Sequence, residues 1–367
     1  MKPFIPVKLP LESIDWAAHV TLIGQANAAL ARYDGMLRSI PNPFVLLSPL
    51  TTQEAVLSSR IEGTQASMEE VLEYEADPSE EIAPSRVADI QEIINYRHAM
   101  TKAMIDLEKR PLCLNLIKGL HFMLLDSVRG RDKARGEFRR IQNYIGPPGS
   151  PIEKASFVPP APEHLTEILD NWEKYIHFDG KDKLVQLAVV KGQFEIIHPF
   201  LDGNGRIGRM LIPLFLFSKG LLSSPMFYLS SYLENHREQY YYCLQNISNN
   251  DDWNGWIAFF LQAIVEQAEE NFRKTQAILE LYNEIKQTFP DMVRSQYNLQ
   301  ALDSLFDRPI FLLSEFIQRS AIPKASARRL LNALKKNDVI RELRPGRGRR
   351  AGILIFPRLI GITESIS

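Results

Sequence analysis

The stretch from residue 198 to residue 209 constrains this chain more than any other part. It reads His-Pro-Phe-Leu-Asp-Gly-Asn-Gly-Arg-Ile-Gly-Arg and runs directly into an apolar segment from Met210 to Phe217. Glycines let a backbone come close to a ligand because they carry no Cβ. Backbone N–H groups at the start of a helix attract anions. We therefore predict a glycine-rich turn that opens a buried helix and binds an anion at its N-terminus.

Charged side chains in the same stretch predict chemistry on a phosphate. Arg206 and Arg209 are three residues apart, so they share one face of a helix and can reach the same anion. Asp202 is an oxygen ligand of the kind that Mg²⁺ takes beside phosphates. His198 is the candidate general base. A plain turn with surface arginines is the alternative, but these groups coincide with the glycines and favour a phosphate site.

The stretch matches the pattern HxFx(D/E)GNGRxxR at every specified position. It thereby resembles the signature of the Fic family, most of whose members transfer AMP from ATP to a hydroxyl of a target protein. The resemblance implies that His198 takes the hydroxyl proton and that Asp202 holds Mg²⁺. It further implies an ATP site, with Arg206 on the phosphates and Arg209 on the γ-phosphate. The anion hole of this site and the residues that flank it are Gly203, Asn204, Gly205, Ile207 and Gly208.

A short helix is predicted at about residues 51–63. Thr51 and Glu54 have the spacing of a capping box, and Gly63 is a natural helix stop. Glu62 falls in the last turn, where a carboxylate opposes the helix dipole unless a cation compensates it. A solvated glutamate that tolerates this position is the alternative.

The end of that helix carries a second resemblance. Ser58-x-x-x-Glu62-Gly63 matches the (S/T)xxxE(G/N) inhibitory motif of Fic proteins. The resemblance implies that Glu62 pairs with Arg209 and excludes the γ-phosphate from its productive position. The motif precedes the core, so the chain is similar to the class with an N-terminal inhibitory helix.

Two further segments are candidates for substrate binding. Residues 135–146 alternate as a strand does, a Pro-Pro-Gly turn follows, and 157–158 could return, which predicts a β-hairpin. The hairpin resembles the Fic flap, which implies target binding by Asn143, Tyr144, Ile145 and Gly146; a purely structural hairpin is the alternative.

Residues 228–242 are rich in tyrosine, which suits an adenine pocket or a helix interface equally well. By similarity of position, the adenine-side candidates are Asn235 and Tyr241.

Composition excludes several classes of protein. The net charge is −1, so a basic surface for nucleic acid must be local. The chain has only two cysteines, Cys113 and Cys243, which excludes a disulfide framework and fits a reducing cytoplasm. The apolar run from Met210 to Phe217 is far too short to span a membrane. The expected location is therefore the cytoplasm.

The C-terminal part is predicted to be a separate domain. Two helices, opening at Leu313 and Ser326, precede strands at 339–340 and 353–356, an order that resembles a winged helix. Ten Lys and Arg against two Asp and Glu lie between residues 324 and 350. That local excess suits a DNA backbone. A protein-docking module with a solvated basic wing is the alternative.

The predicted fold class is mainly α-helical: a Fic-fold helical core with a β-hairpin flap, followed by a C-terminal winged helix-turn-helix of α+β type. The predicted divisions are an N-terminal helical region, the Fic core, a helical linker and the winged helix, at 1–105, 106–270, 271–298 and 299–367.

The leading functional hypothesis is Mg²⁺-dependent transfer of AMP from ATP to Ser, Thr or Tyr of a target protein, and of the chain itself, restrained by Glu62. The alternatives are removal of AMP and a DNA-binding regulator that contains a Fic core. Homodimerisation is a further hypothesis.

Overall fold

The computed structural model describes residues 2–78, 82–126, 133–146, 149, 151–346 and 351–365. Its N-terminal half begins with an extended segment that reaches the core, where the Phe4 N–H donates to the Val158 carbonyl at 2.9 Å. Five helices then follow in chain order: α1 Trp16–Ser39, α2 Pro43–Leu46, α3 Ser48–Ile61, α4 Met68–Ala76 and α5 Pro84–Leu107.

The predicted capping box of the short helix is wrong. Helix α3 starts at Ser48, so Thr51 lies inside it and its hydroxyl donates to the Leu47 carbonyl. Pro49 sets the backbone for this earlier start because its fixed φ suits the first helical turn. A capping box is found instead at α4, where Ser67 and Glu70 exchange side-chain-to-backbone hydrogen bonds.

The central part of the chain is a helical bundle. Helix α8 lies at its centre, since nearly all of its residues are buried, and α9 packs beside it. Helix α12 packs against α8 and against α1. The helices of this part are α6 Leu114–Leu124, α7 Leu165–Ile176, α8 Lys183–Ile197, α9 Asn204–Ser218, α10 Ser230–Asn235, α11 Arg237–Asn250 and α12 Trp253–Met292.

Helix α12 has 40 residues and passes through the predicted boundary between core and linker at residue 270. It also continues through Pro290, a residue type that usually ends or kinks a helix. Pro290 lies in the last turn, so only one hydrogen bond near the helix end is lost. Despite this length, no helix in the described part of the chain is both long and apolar enough to cross a membrane.

The predicted strand at 135–146 does not form as a regular strand. Only Ile145 pairs, in a single antiparallel bridge with Phe157. Upstream of it, the Arg139 N–H donates to the Pro199 carbonyl, so this backbone is bonded to the loop after α8 instead of to a second strand. Gly149 has a φ of +72°, as a turn requires, while Pro147 and Pro148 lie outside the described residues.

The C-terminal part contains a small antiparallel sheet of three strands, β1 (Ile310–Leu312), β2 (Arg341–Arg344) and β3 (Ile353–Ile355), in the order β1-β3-β2. The strand expected at Val339-Ile340 begins instead at Arg341, because the Val339 N–H donates to the Leu334 carbonyl and so closes the end of the preceding helix. Three elements were not predicted: α13, β1 and α16. The elements are α13 Asn298–Asp307, β1 Ile310–Leu312, α14 Leu313–Ser320, α15 Lys324–Lys336, β2 Arg341–Arg344, β3 Ile353–Ile355 and α16 Pro357–Glu364. The winged-helix assignment remains a prediction, and the turn at 347–350 lies outside the described residues.

Candidate active site

Helix α8 delivers His198 to the site. His198 ends the helix in a left-handed conformation with a φ of +48°, and its N–H donates to the Phe194 carbonyl. Its Nδ1 atom is buried and has no hydrogen-bond partner among the described residues. Burial lowers the pKa of His198 although the Glu195 carboxylate opposes this shift. The ring is therefore neutral near pH 7 and able to accept a proton.

Arg139 holds the backbone around His198. This side chain is only 2% exposed. Its Nε donates to the His198 carbonyl at 3.0 Å, and its Nη2 donates to the Pro160 carbonyl at 2.5 Å. Burial lowers the pKa of Arg139 to about 10. Arg139 lies in the predicted strand, and its role was not predicted, since nothing in its local spacing indicates the distant carbonyls.

The start of α9 forms the predicted glycine-rich turn. Gly203 precedes the helix with a φ of +79°, a backbone conformation that favours glycine. The Asn204 side chain is bonded to both the N–H and the carbonyl of Phe200, each at 2.8 Å. These two bonds close the loop and occupy the Asn204 side chain. An anion can therefore be bound by the backbone N–H of Asn204 but not by its side chain. The N–H groups of the first helical turn lack acceptors within the helix and are available to an anion.

Asp202 is the carboxylate at this turn. Its side chain is 44% exposed, and its Oδ1 accepts from the Gly203 N–H at 2.6 Å. The Asp202 carbonyl is bonded to Nε2 of His121, whose Nδ1 accepts from the Gly136 N–H, so His121 supports the loop. The described residues contain no cluster of three or more His, Cys, Asp or Glu that could hold a metal. A magnesium ion here would depend on Asp202 together with oxygens of the substrate.

Arg206 is held by the carboxylate of Glu92, which was not predicted to belong to the site. Its Nη1 donates to Glu92 Oε2 at 2.9 Å, and its Nη2 lies 3.4 Å from Asp202 Oδ1. The Arg206 side chain is 5% exposed and that of Glu92 is 11% exposed. Glu92 lies on α5, 114 residues earlier in the chain. It lies between Ile90 and Ile93 on a buried face, and a charged residue at such a position is the signal that could have identified it.

Arg209 makes the contacts that the inhibitory motif implies. Its Nε donates to Ser58 Oγ and its Nη2 donates to Glu62 Oε1, both at 2.7 Å. Its side chain is 1% exposed, whereas that of Glu62 is 37% exposed. Gly63 follows with a φ of +98°. The chain thus turns away directly after the glutamate that meets Arg209.

The Glu62 carboxylate also covers the helix N-terminus. A Cβ on Gly205 would overlap Glu62 Oε1 and would lie 3.1 Å from Arg209 Nη1. Burial opposes ionisation of Glu62, but the charge and the hydrogen bond of Arg209 outweigh it and lower the pKa of Glu62. The carboxylate is therefore ionised at neutral pH. It occupies the position of an anion at the first turn of α9.

Two residues of the predicted ATP site face the protein interior. Ile207 is fully buried in the core. Gly208 is packed against α8, where a Cβ would overlap Glu195 and would lie 2.8 Å from Lys191 Nζ. Both residues thus fix how α9 packs against α8.

The two adenine-side candidates differ in their surroundings. Tyr241, on α11, is 45% exposed, and the Arg237 guanidinium lies 5.9 Å from the centre of its ring. Arg237 also donates to the Ile61 carbonyl at 2.8 Å, at the end of the helix that carries Glu62. Tyr241 therefore borders the site. Asn235 is exposed at the last residue of α10.

The flap candidates lie beside the same loop. Asn143 Nδ2 donates to the Phe200 carbonyl at 3.0 Å, within the signature stretch. The Ile145 N–H donates to the Phe157 carbonyl at 2.9 Å. Tyr144 and Ile145 are about 40% exposed, and Gly146 is also exposed. This segment is anchored to the site on one side and open to solvent on the other.

Comparison with known families decides the assignment. A family model described as "Fic/DOC family N-terminal" matches residues 20–105, and one described as "Fic/DOC family" matches residues 111–216. Together they cover more than half of the chain. The chain belongs to the Fic family. The second match contains His198 and Arg209, and the first contains Ser58 and Glu62.

Curated relatives carry the name "Protein adenylyltransferase Fic". The relative from Drosophila grimshawi is 26% identical over 199 residues, which are 52% of this chain and 35% of the relative. The relative from Drosophila mojavensis is 26% identical over 208 residues, or 54% of this chain and 35% of the relative. The match thus spans about a third of the length of these relatives.

Solved structures share the fold of this Fic protein. A Fic family protein from Desulfovibrio desulfuricans G20 has a TM-score of 0.57 at 18% identity, covering 97% of this chain and 98% of that one. Residues 134–508 of Fic-1 from C. elegans have a TM-score of 0.52 at 18% identity, covering 72% of this chain and 74% of that one. At these identities the likeness concerns the fold alone.

Proposed function

We propose that this Fic protein transfers AMP from ATP to a hydroxyl of a target protein and that Glu62 restrains the reaction. The observation that carries this proposal is the position of the Glu62 carboxylate on Gly205 and Arg209. An anion is already bound there by a helix N-terminus and an arginine, which together are a phosphate site. The curated relatives named as adenylyltransferases support ATP as the donor.

The chemistry requires one base and strong neutralisation of charge. Neutral His198 accepts the proton of the attacking Ser, Thr or Tyr hydroxyl. The hydroxyl oxygen forms a bond to the α-phosphorus while the bond from that phosphorus to the β-phosphate oxygen breaks, and pyrophosphate leaves. The N–H groups at the start of α9 stabilise the charged oxygens of the α-phosphate.

The remaining charges are placed for the other phosphates. Arg206 is held rigidly by Glu92, so it need not lose side-chain freedom on binding. Arg209 is available to the γ-phosphate once Glu62 releases it. Asp202, with its half-exposed carboxylate, is the ligand for Mg²⁺, which neutralises phosphate charge when bound. One carboxylate is sufficient because this ion usually keeps waters and phosphate oxygens as its other ligands.

The target segment is proposed to align along residues 143–146. The exposed backbone beside Ile145 can pair with an added strand, as extended peptides do at open sheet edges. Such pairing would bring a hydroxyl of the target towards His198, because Asn143 ties this segment to the Phe200 carbonyl.

Incubation with labelled ATP and Mg²⁺, followed by mass spectrometry of modified residues, tests the proposal. Glu62→Gly should increase the rate of AMP incorporation about ten- to a hundredfold, since it frees Arg209 and the space above Gly205. Arg209→Ala in the Glu62→Gly background should remove that gain. The rate is measured on the chain itself and on added protein extracts.

Two results would contradict autoinhibition. An unchanged rate in Glu62→Gly would mean that the carboxylate does not block ATP. The second result is that Glu62→Gly releases AMP more slowly from protein that already carries it and shows no gain in AMP transfer. That result would favour AMP removal as the reaction, with Glu62 positioning the attacking water.

A further inference from the structure

Helix α3 has a second buried attachment, away from the inhibitory glutamate. Glu54, Ser58 and Glu62 follow one another at intervals of four residues, so they lie along one face of the helix. Ser58 and Glu62 bind Arg209. Glu54 is only 7% exposed and binds a different part of the protein. The face therefore has two separate sets of contacts.

The partner of Glu54 is the start of α10. Ser230 donates to this carboxylate twice, from its N–H at 3.0 Å and from its Oγ at 2.6 Å. The Tyr96 hydroxyl lies 3.5 Å from Glu54 Oε1. One turn earlier, Thr51 Oγ1 lies 2.7 Å from the Tyr228 hydroxyl. The middle of α3 is thus attached to the segment from Tyr228 to Ser230.

These attachments determine where Glu62 can lie. Glu54 and Glu62 are eight residues apart, which is about 12 Å along a helix. Polar attachments at that separation restrict tilting and sliding of the helix. At the Glu62 end the side chain is 37% exposed, so solvent reaches one side of it. Without the contact at Glu54, the helix would keep its packing against α5 and α10 but would lose its buried polar attachment to Ser230.

We propose that Glu54 is a positioning residue of the inhibitory helix: by binding Ser230 it holds α3 so that Glu62 covers Gly205 and Arg209. This inference rests on the proposed autoinhibition. Loss of the Glu54 side chain leaves the buried Ser230 N–H without its acceptor and lets α3 move. Release of Glu62 then follows from a change at a residue that takes no part in the hydrogen bonds between α3 and Arg209.

The protonation of Glu54 gives the attachment a pH dependence. Burial raises the pKa of Glu54 to about 7, against the opposing effects of Ser230 and of the Arg209 charge. The titratable and charged groups that face it are Tyr96 on α5, Arg209 on α9 and Tyr228 before α10. Because the docked state has the raised pKa, it binds the proton more tightly than the released state. Docking is therefore strongest below about pH 4.5, weakens as the pH rises from there through 7, and changes little above that.

A double-mutant cycle on the full chain tests this role. Glu54→Ala should raise AMP transfer roughly tenfold, the effect expected when a buried donor loses its acceptor. Glu54→Ala in the Glu62→Gly background should add nothing, because both changes remove the same block. Ser230→Ala, which loses only the Oγ contact, should give a smaller gain. Gln53→Ala, at the neighbouring position on another face of α3, should leave transfer unchanged.

The possible results separate the two proposals. If Glu62→Gly fails to activate, the autoinhibition itself is wrong. If Glu62→Gly activates but neither Glu54→Ala nor Ser230→Ala does, autoinhibition stands and the role of Glu54 is refuted. If Glu54→Ala lowers transfer in the Glu62→Gly background, Glu54 supports the fold in general and the inference is overturned.

The pH profile provides a readout that a general structural role would not change. The ratio of the Glu62→Gly rate to the wild-type rate should fall by up to about tenfold between pH 6 and pH 8. Glu54→Gln retains an oxygen acceptor for Ser230 but cannot ionise. The ratio of the Glu54→Gln/Glu62→Gly rate to the Glu54→Gln rate should therefore not change with pH. A wild-type ratio that does not change with pH would argue against this account.

Discussion

His198 shows how single residues are prepared for chemistry in this protein. Its positive φ is uncommon for a residue with a side chain and persists only where the surroundings enforce it. Arg139 provides that enforcement, since it binds the His198 carbonyl and also the Pro160 carbonyl. The ring is thereby directed from the end of α8 while its pKa is lowered by burial.

Replacement of this base is the first prediction. His198→Ala in the Glu62→Gly background should lower the rate of transfer by about 10²- to 10⁴-fold, as expected for loss of a general base. ATP affinity should remain largely unchanged, because the phosphate contacts come from α9. Labelled AMP incorporation and ATP binding are measured separately. A rate within about threefold of the parent would remove His198 from the mechanism.

The pH dependence follows from the same residue. Because the pKa of His198 is lowered, the base stays neutral below the usual histidine range. In the Glu62→Gly variant, transfer should be constant around pH 7. It should decline, as the ring becomes protonated, only at a pH below the ordinary histidine pKa of about 6.5. A decline that begins above pH 7 would contradict a buried neutral base.

At the scale of whole helices, the packing of α8 against α12 fixes the position of the site, because α8 carries His198 at its end. Gly192 lies on α8 where the two helices meet, and a Cβ there would lie 2.7 Å from Trp256 Nε1. Trp256 in turn donates to the Ala188 carbonyl at 2.7 Å. The close approach of these helices therefore depends on the absence of a side chain.

Gly192→Ala is predicted to destabilise the protein by about 1–3 kcal/mol, since a methyl group would overpack a filled interface. Gly24→Ala is the matched control: Gly24 is also within a helix, but a Cβ there has nothing within 4 Å. That control should be neutral or slightly stabilising, because alanine favours helix. Thermal unfolding of both variants provides the measurement. Equal melting temperatures would refute the close packing at Gly192.

At the scale of the whole molecule, the C-terminal part is attached to the region around α3, the helix proposed to be inhibitory. Helices α13 and α16 pack against α3, and β1 packs against α4. Arg344 donates to Asp77 at 2.7 Å, and Arg308 lies 3.2 Å from Glu75. Helix α3 thus lies between the Fic core and the C-terminal elements.

Arg344→Ala is therefore expected to lower the free energy of unfolding by about 1–3 kcal/mol, since it leaves a carboxylate that is only 8% exposed without this contact. Arg358→Ala removes a bidentate pair with Glu284 in which both side chains are more than half exposed. Such exposed pairs contribute little, so this control should change stability by less than about 1 kcal/mol. A larger effect from the control than from Arg344→Ala would contradict this ranking.

The basic surface of α15 is predicted to bind duplex DNA in a salt-dependent manner. Lys324, Arg328 and Lys336 are exposed, whereas Lys335 is paired with Glu342 at 2.6 Å. The full chain should bind weakly at about 50 mM salt and lose orders of magnitude in affinity at moderate salt. Arg328→Ala with Lys336→Ala should reduce the salt slope, and Lys109→Ala should not. Absence of binding at low salt would favour a protein-docking role.

The sequence by itself determined the parts of this protein whose signals are local. The short helix predicted at about residues 51–63 is observed at Ser48–Ile61, within a few positions. The glycine-rich turn before α9 was predictable because three glycines and a run of apolar residues leave few alternatives. Its match to the Fic signature then indicated the family, and the match of Ser58 and Glu62 to the inhibitory motif predicted the contact between Glu62 and Arg209.

Only the tertiary structure decided how these parts are held. Glu54 looked like a capping residue from its spacing with Thr51, but it binds Ser230, 176 residues away. Arg139 and Glu92 likewise act on groups 59 and 114 residues distant. The physical reason is that a buried polar group needs a hydrogen-bond partner, and the fold can supply that partner from any part of the chain. The spacing of neighbouring residues does not indicate which distant residue this will be.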